Sequence, residues 1–135
     1  MRTEANCEFE VTDWDEKPYQ EFESGEKLTR AKVLQKYQGS IVEEGSVEFL
    51  MHHAVNRTAS FVGMELVKGT VDGKSGSFVI QHVGTFDSSG AHSAWSIVPG
   101  SGTGELAGIN GNGRYVATGK SVPVSFSYDI SYDNA

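Results

Sequence analysis

The run from Gly76 to Gly113, GSFVIQHVGTFDSSGAHSAWSIVPGSGTGELAGINGNG, constrains this chain more than any other stretch. Segments rich in Val, Ile, Phe and Trp alternate there with Gly, Ser, Pro and Asn-Gly punctuation, and no helical period runs through them. Antiparallel strands joined by tight turns satisfy that pattern. The rest of the chain reads the same way. Cys7, Phe9 and Val11 alternate with Glu8, Glu10 and Thr12 as a half-buried strand. Trp14 to Phe22, WDEKPYQEF, interrupts with a proline and charges and leaves room for a short helix near Pro18. Further strands are expected at Lys27–Gln38, Ile41–Glu44, Ser46–Ala54, Thr58–Val71, Ser75–Asp87, Ala91–Val98, Gly113–Thr118 and Val122–Ser131. Eight or so strands with at most short helical turns predict an all-β barrel or sandwich. At 135 residues the chain supports one core, so a single domain is expected over residues 1–135.

A net charge of −7 and a pI near 5.0 argue against a nucleic-acid partner, which needs a clustered Lys/Arg footprint. Cys7 is the only cysteine, so no intrachain disulfide forms. MRTEANCEFEV lacks the apolar core of a signal peptide, and no segment approaches the roughly 20 apolar residues of a membrane helix, so a cytoplasmic, membrane-free protein is expected. Asn56-Arg57-Thr58 matches a glycosylation sequon and is read as a turn.

Two dipeptide signals predict tight turns: Asp72-Gly73 and Asn110-Gly111-Asn112-Gly113. A two-residue turn at Asp72-Gly73 sets Val71 against Lys74, Val67 against Phe78, Glu65 against Ile80 and Gly63 against His82. The hairpin then has two faces. Val62, Met64, Leu66, Val79, Gln81 and Val83 lie on one; Phe61, Gly63, Glu65, Val67, Phe78, Ile80, His82, Gly84 and Phe86 lie on the other. Both are largely apolar, so both should be covered, one by the lumen and the other by a further element or a second subunit; a homo-oligomer is expected.

The second face is assigned to the lumen, with Glu65 and His82 as diagonal neighbours about 7 to 8 Å apart at the backbone. Gly63 and Gly84 contribute no side-chain volume there, which marks either a pocket or a bend. A two-residue turn at Asn56-Arg57 would add Glu48 opposite Glu65, with Leu50 and His52 alongside and Arg30 as counter-ion. An even turn at Ser88-Ser89 would add Trp95 opposite His82 and Ile97 opposite Ile80. Candidate ligand-binding residues are therefore Arg30, Glu48, Phe61, Gly63 and Glu65, then Phe78, Ile80, His82, Phe86 and Trp95.

Several motifs carry no cofactor. Gly102-Thr103-Gly104-Glu105-Leu106-Ala107 fits a relaxed dinucleotide fingerprint but opens no helix. Gly69-Thr70-Val71-Asp72-Gly73-Lys74-Ser75 is one residue short of a phosphate loop. His52 and His53 are adjacent and point to opposite faces, and no metal-binding spacing is present. No cofactor and no metal are expected.

VTDWDEKPY, ASFVGMELVKGTVDGKSG, GSFVIQHVGTFD and Trp95 before SIVPGSGTGELAGINGNG, in that order over nearly the whole chain, resemble a bacterial family, the domain of unknown function 3224 family, assigned to the allene oxide cyclase-like barrels. The resemblance implies an eight-stranded antiparallel barrel. Relatives of that fold use an apolar lumen to steer a reactive intermediate and form trimers or dimers. No active-site motif of the cyclase is matched, so its activity does not transfer. His53-Ala54-Val55-Asn56-Arg57 departs from the family's more acidic, Gly-containing loops, which weakens the placement of Glu48.

Three functional readings follow. The barrel binds a small, mostly apolar molecule in its lumen. Alternatively it is a cofactor-free isomerase or cyclase with Glu65 and His82 as acid-base pair. In the third reading the lumen is packed, the polar set is a satisfied internal network, and the protein acts through its surface or assembly.

Overall fold

The computed structural model describes residues 2–131. Eight strands follow one another: β1 (Thr3–Glu21), β2 (Lys27–Gly39), β3 (Ile41–His53), β4 (Ala59–Val71), β5 (Lys74–Asp87), β6 (Gly90–Ile97), β7 (Ile109–Ala117) and β8 (Ser121–Ile130). Each pairs antiparallel with its sequence neighbour, and β8 returns to β1 to close a barrel. Among the described residues the only helical element is a 3-10 turn at Gly104–Leu106, and no helix is long and apolar enough to cross a membrane.

Strand alternation does the sorting. Along β2, β3 and β4 buried and exposed positions alternate almost without a break, so odd-numbered side chains fill the barrel and even-numbered ones face out. Asp72 and Gly73 both have positive φ, +48° and +84°, as a two-residue hairpin turn of this twist requires. The resulting pairs are Val71 with Lys74, Val67 with Phe78, Glu65 with Ile80 and Gly63 with His82. Ser88-Ser89 closes the next hairpin with the same parity and sets Trp95 against His82 and Ile97 against Ile80.

Four expectations are corrected. Trp14 to Glu21 is strand, not a helix or a break, because β1 continues along β2 through irregularities at Val11/Asp13 and Pro18/Gln20. Beyond Glu10 β1 has no β8 partner, so Pro18 lies on an edge where its missing N–H costs no ladder bond. Ile41–Glu44 and Ser46–Ala54 form a single strand, β3. Asn110 to Gly113 lies inside β7 rather than in a turn. A Cβ at Gly111 would come 3.0 Å from that of Tyr128, and one at Gly113 would come 2.7 Å from that of Phe126, so these glycines let aromatic neighbours pack close. The fourth is the β3–β4 connection, where His53 pairs with Ala59 around an odd-length loop.

The barrel has one closed end and one open end. At the Asp72 end, the 98–108 connection folds inward and buries Leu106 completely, held by Thr103 N–H on the Ser77 carbonyl at 2.9 Å. Around it pack Ile41, Val71, Phe78, Ile80, Ile97 and Ile109, one continuous core. A second, smaller cluster of Ala31, Val33, Val47, Phe49, Met51 and Phe61 lies toward the other end. Gly63 and Gly84 belong to that packing. The volume that Gly63 leaves is taken by the Phe49 ring, 2.6 Å from where a Cβ would sit, and that of Gly84 by the Phe61 ring at 2.4 Å. Phe49 and Phe61 in turn meet edge to face at 5.3 Å and 81°, a geometry worth about 0.5 to 1.5 kcal/mol beyond burial.

Gly63→Ala is therefore expected to overpack the wall, since its Cβ would also meet the Glu48 carbonyl at 2.8 Å. The expected loss is about 1 to 3 kcal/mol, read as a lower urea midpoint with unchanged m-value. An unaltered midpoint would show that the Phe49 ring has room to retreat.

Candidate functional site

Glu65 on β4 and His82 on β5 are both fully buried. Their side chains meet across the strand pair, His82 Nε2 lying 2.7 Å from Glu65 Oε1. Tyr37 on β2 donates its hydroxyl to Glu65 Oε2 at 2.7 Å and lies 3.3 Å from Gln35 Oε1. Both carboxylate oxygens thus have a partner, the condition under which a buried acid is tolerated. The seat is made by Gly45 on β3: a Cβ there would fall 1.9 Å from Glu65 Oε2. His82 Nδ1 is the exception, being buried without a hydrogen-bond partner among the described residues. Its ring stands edge-on to Phe49 at 5.5 Å and to Tyr115 at 6.1 Å.

The environment keeps neighbouring acids protonated. Burial first, and then the charge of Glu65, pushes the Cys7 thiol from 9.0 up to about 12. Burial and then Glu65 likewise raise Tyr37 well above 10.0, so its phenol stays a donor to the carboxylate. Tyr115 is pushed to about 12 by burial, with a hydrogen bond from Ser93 opposing and Glu65 adding.

Beside this network, at the open end, is a cavity of about 230 Å³. Phe9, Val11, Phe49, Met51, Phe61 and Tyr115 form its walls, Gln35 supplies an amide, and Trp14, Phe86, Ala91 and Gly119 stand around the mouth. The same Phe49 and Tyr115 that flank His82 line it, whereas Glu65 and His82 themselves do not. Trp14 stacks on Phe49 at 6.3 Å and 28° and donates its indole N–H to Glu16 Oε1 at 3.0 Å. Glu16 Oε2 takes Thr29 Oγ1 at 2.7 Å and lies 2.7 Å from His53 Nε2. Partial burial pushes Glu16 up, but the hydrogen bonds from Thr29, His53 and Trp14 together hold it below its ordinary value.

Of the residues singled out from the sequence, Phe61 and Phe86 line the cavity. Phe78, Ile80 and Trp95 lie in the closed core, and Gly63 backs Phe49. Glu48 and Arg30 are corrected. Because the β3–β4 loop is odd, Val47 takes the place opposite Glu65, and Glu48 turns outward opposite Met64 with Leu50 and His52. There it meets Arg30 at 4.0 Å, both side chains mostly exposed. The missed members are Tyr37, Gln35, Gly45, Phe49, Tyr115 and Trp14. Tyr37, Gln35 and Phe49 carried a usable signal, since they share the inward parity of their strands. Trp14 and Glu16 did not: the irregularity at Val11/Asp13 switches β1 from odd-in to even-in.

Among the described residues no group of three or more His, Cys, Asp or Glu is placed to hold a metal. The chain is a closed eight-stranded antiparallel barrel with a buried acid-imidazole pair and an apolar cavity beside it. The chain belongs to the family described as "Protein of unknown function (DUF3224)", whose model matches residues 5–130. It is similar to a crystal structure at 1.84 Å of a protein of unknown function from the same family in Shewanella oneidensis MR-1. The identity is 25%, the TM-score 0.78, and the match covers 97% of this chain and 98% of that one. No curated protein matches.

The raised Cys7, Tyr37 and Tyr115 set an alkaline limit. Unfolded, these groups ionise from about pH 9 to 10; folded, Cys7 and Tyr115 keep their protons to about 12 and Tyr37 beyond its usual range. The folded chain then binds more protons than the unfolded one, so their contribution is fully present below about pH 9 and is lost progressively as pH rises toward about 12. Urea midpoints should begin to fall above about pH 9. Iodoacetamide should label Cys7 only in denaturant, and rapid labelling of the native protein would refute its burial.

Proposed function

We propose that the chain binds a small, uncharged, mostly apolar molecule in the open end of its barrel. The observation that supports this best is the 230 Å³ cavity, walled by aromatic and aliphatic side chains with the Gln35 amide as an orienting group. An apolar cavity of about 150 Å³ is enough for benzene, and drug-sized pockets begin at about 300 Å³. The occupant is therefore about one ring with a short substituent. A charged ligand is disfavoured, since no ionised side chain lines the wall and an unpaired buried charge is costly. Glu65, His82 and Tyr37 stiffen the back of the site through Phe49 and Tyr115.

Toluene, indole and acetophenone are suitable probes. Each should raise the melting temperature and change Trp14 fluorescence, with dissociation constants in the micromolar to millimolar range set by so few contact atoms. Ala91→Leu, which extends a side chain into the mouth, should abolish the shift while leaving the free protein folded. Binding that survives Ala91→Leu would place the ligand elsewhere.

The unpartnered His82 Nδ1 favours a second reading, proton transfer at a carbon of the bound molecule. It requires the Phe49 or Tyr115 ring to swing aside, because both flank the imidazole. Solvent deuterium should then wash into the methyl group of acetophenone in the presence of the protein and fail to do so with Glu65→Gln. Exchange at the uncatalysed rate with the unaltered chain ends that reading.

A further inference from the structure

The outer wall carries an apolar stripe that none of the described residues covers. On β4 the three successive outward residues Val62, Met64 and Leu66 are exposed by 48%, 54% and 40%. Leu50 on β3 and Val83 on β5, also exposed, flank Val62 on its two sides. A contiguous exposed aliphatic surface of this kind marks an interface. The polar groups around it identify the partner. In the Met64 row the order across the strands is Lys32, Glu48, Met64, Gln81, Ser96, and in the Val62 row it is Arg30, Leu50, Val62, Val83, Ala94.

From this order we infer that the stripe is the interface of a homodimer, two copies packed face to face about a twofold axis running along β4 through Met64. That axis sends each row onto its own mirror order. Val62, Met64 and Leu66 meet their counterparts, Leu50 meets Val83 of the second copy, and Glu48 meets the Gln81 amide, which donates to it. Lys32 falls on Ser96 and Arg30 on Ala94. An axis across the strands would instead set Glu48 on Glu48 and Lys32 on Lys32 and place Leu50 against Ser46, a like-charge arrangement that costs several kcal/mol. A second copy is therefore complementary in apolar surface, and in these two rows it sets no like charges against each other. The inference concerns the outside of the barrel and stands whatever the cavity holds.

Sedimentation at about 100 µM should give about twice the monomer mass of 14.6 kDa. Met64→Arg brings two guanidinium groups together at the axis and should give the monomer with an unchanged melting profile at high dilution. Leu50→Cys mixed with Val83→Cys should form an intermolecular disulfide under mild oxidation, while either variant alone should not. Buried Cys7 does not compete. A monomeric or trimeric wild-type mass, a dimer indifferent to Met64→Arg, or cross-linking of Leu50→Cys with itself would each overturn the arrangement.

Discussion

The register of the β4–β5 hairpin is the constraint on which the rest depends. Side chains alternate across a strand, so a turn with one residue more would invert one strand relative to the other. With β4 held in place, Phe78, Ile80 and His82 would then face water and Val79, Gln81 and Val83 would turn into the barrel. Asp72-Gly73 prevents this by adopting two consecutive positive φ values that only a short list of dipeptides tolerates. The same parity carries through Ser88-Ser89, and the two turns together stack Gly63, His82 and Trp95 in one inward row. A local backbone preference thereby decides where an acid and an imidazole end up.

Once inside, Glu65 governs the interior. A buried carboxylate without partners is expensive, so its neighbours are fixed in type and place. Tyr37 and His82 each give it a hydrogen bond, and Gly45 must lack a side chain for the carboxylate to fit. The network fills the middle of the barrel. Leu106 seals the end beyond it, and a cavity stays open toward the other end between Phe9, Phe49, Phe61 and Tyr115. The lumen is thus part packed and part cavity, two outcomes that the sequence presents as alternatives.

Legibility followed parity. Every strand pair joined by a two-residue turn was readable residue by residue, down to Trp95 against His82. The pairing of β3 with β4 was not, because Asn56 and Thr58 build a five-residue loop in which Arg57 takes positive φ, and a loop of odd length moves Glu48 from the lumen to the surface. Glycines misled for a related reason. In Asn110 to Gly113 and at Gly63 and Gly84 the missing side chains accommodate aromatic rings from other strands, a tertiary demand that a local pattern does not display. Tyr37 and Gln35 were visible as inward positions, but their contact with Glu65 depends on how the barrel closes.

The open end traces to a single irregularity. At Val11/Asp13 β1 changes parity, and from there onward it pairs with β2 alone, since β8 begins opposite Glu10. The strand leaves the closed ring at the level where the cavity begins. Trp14, now inward, leans over Phe49 and is held by Glu16, which Thr29 and His53 anchor to β2 and β3. The opposite side of the mouth is the β7–β8 turn at Gly119 and the start of β8 at Val122. The cavity exists because a β1–β2–β3 ribbon curls past the ring without reaching that turn. Trp14 at the mouth is thus positioned by the contacts of one carboxylate, Glu16, rather than by the barrel's own ladder.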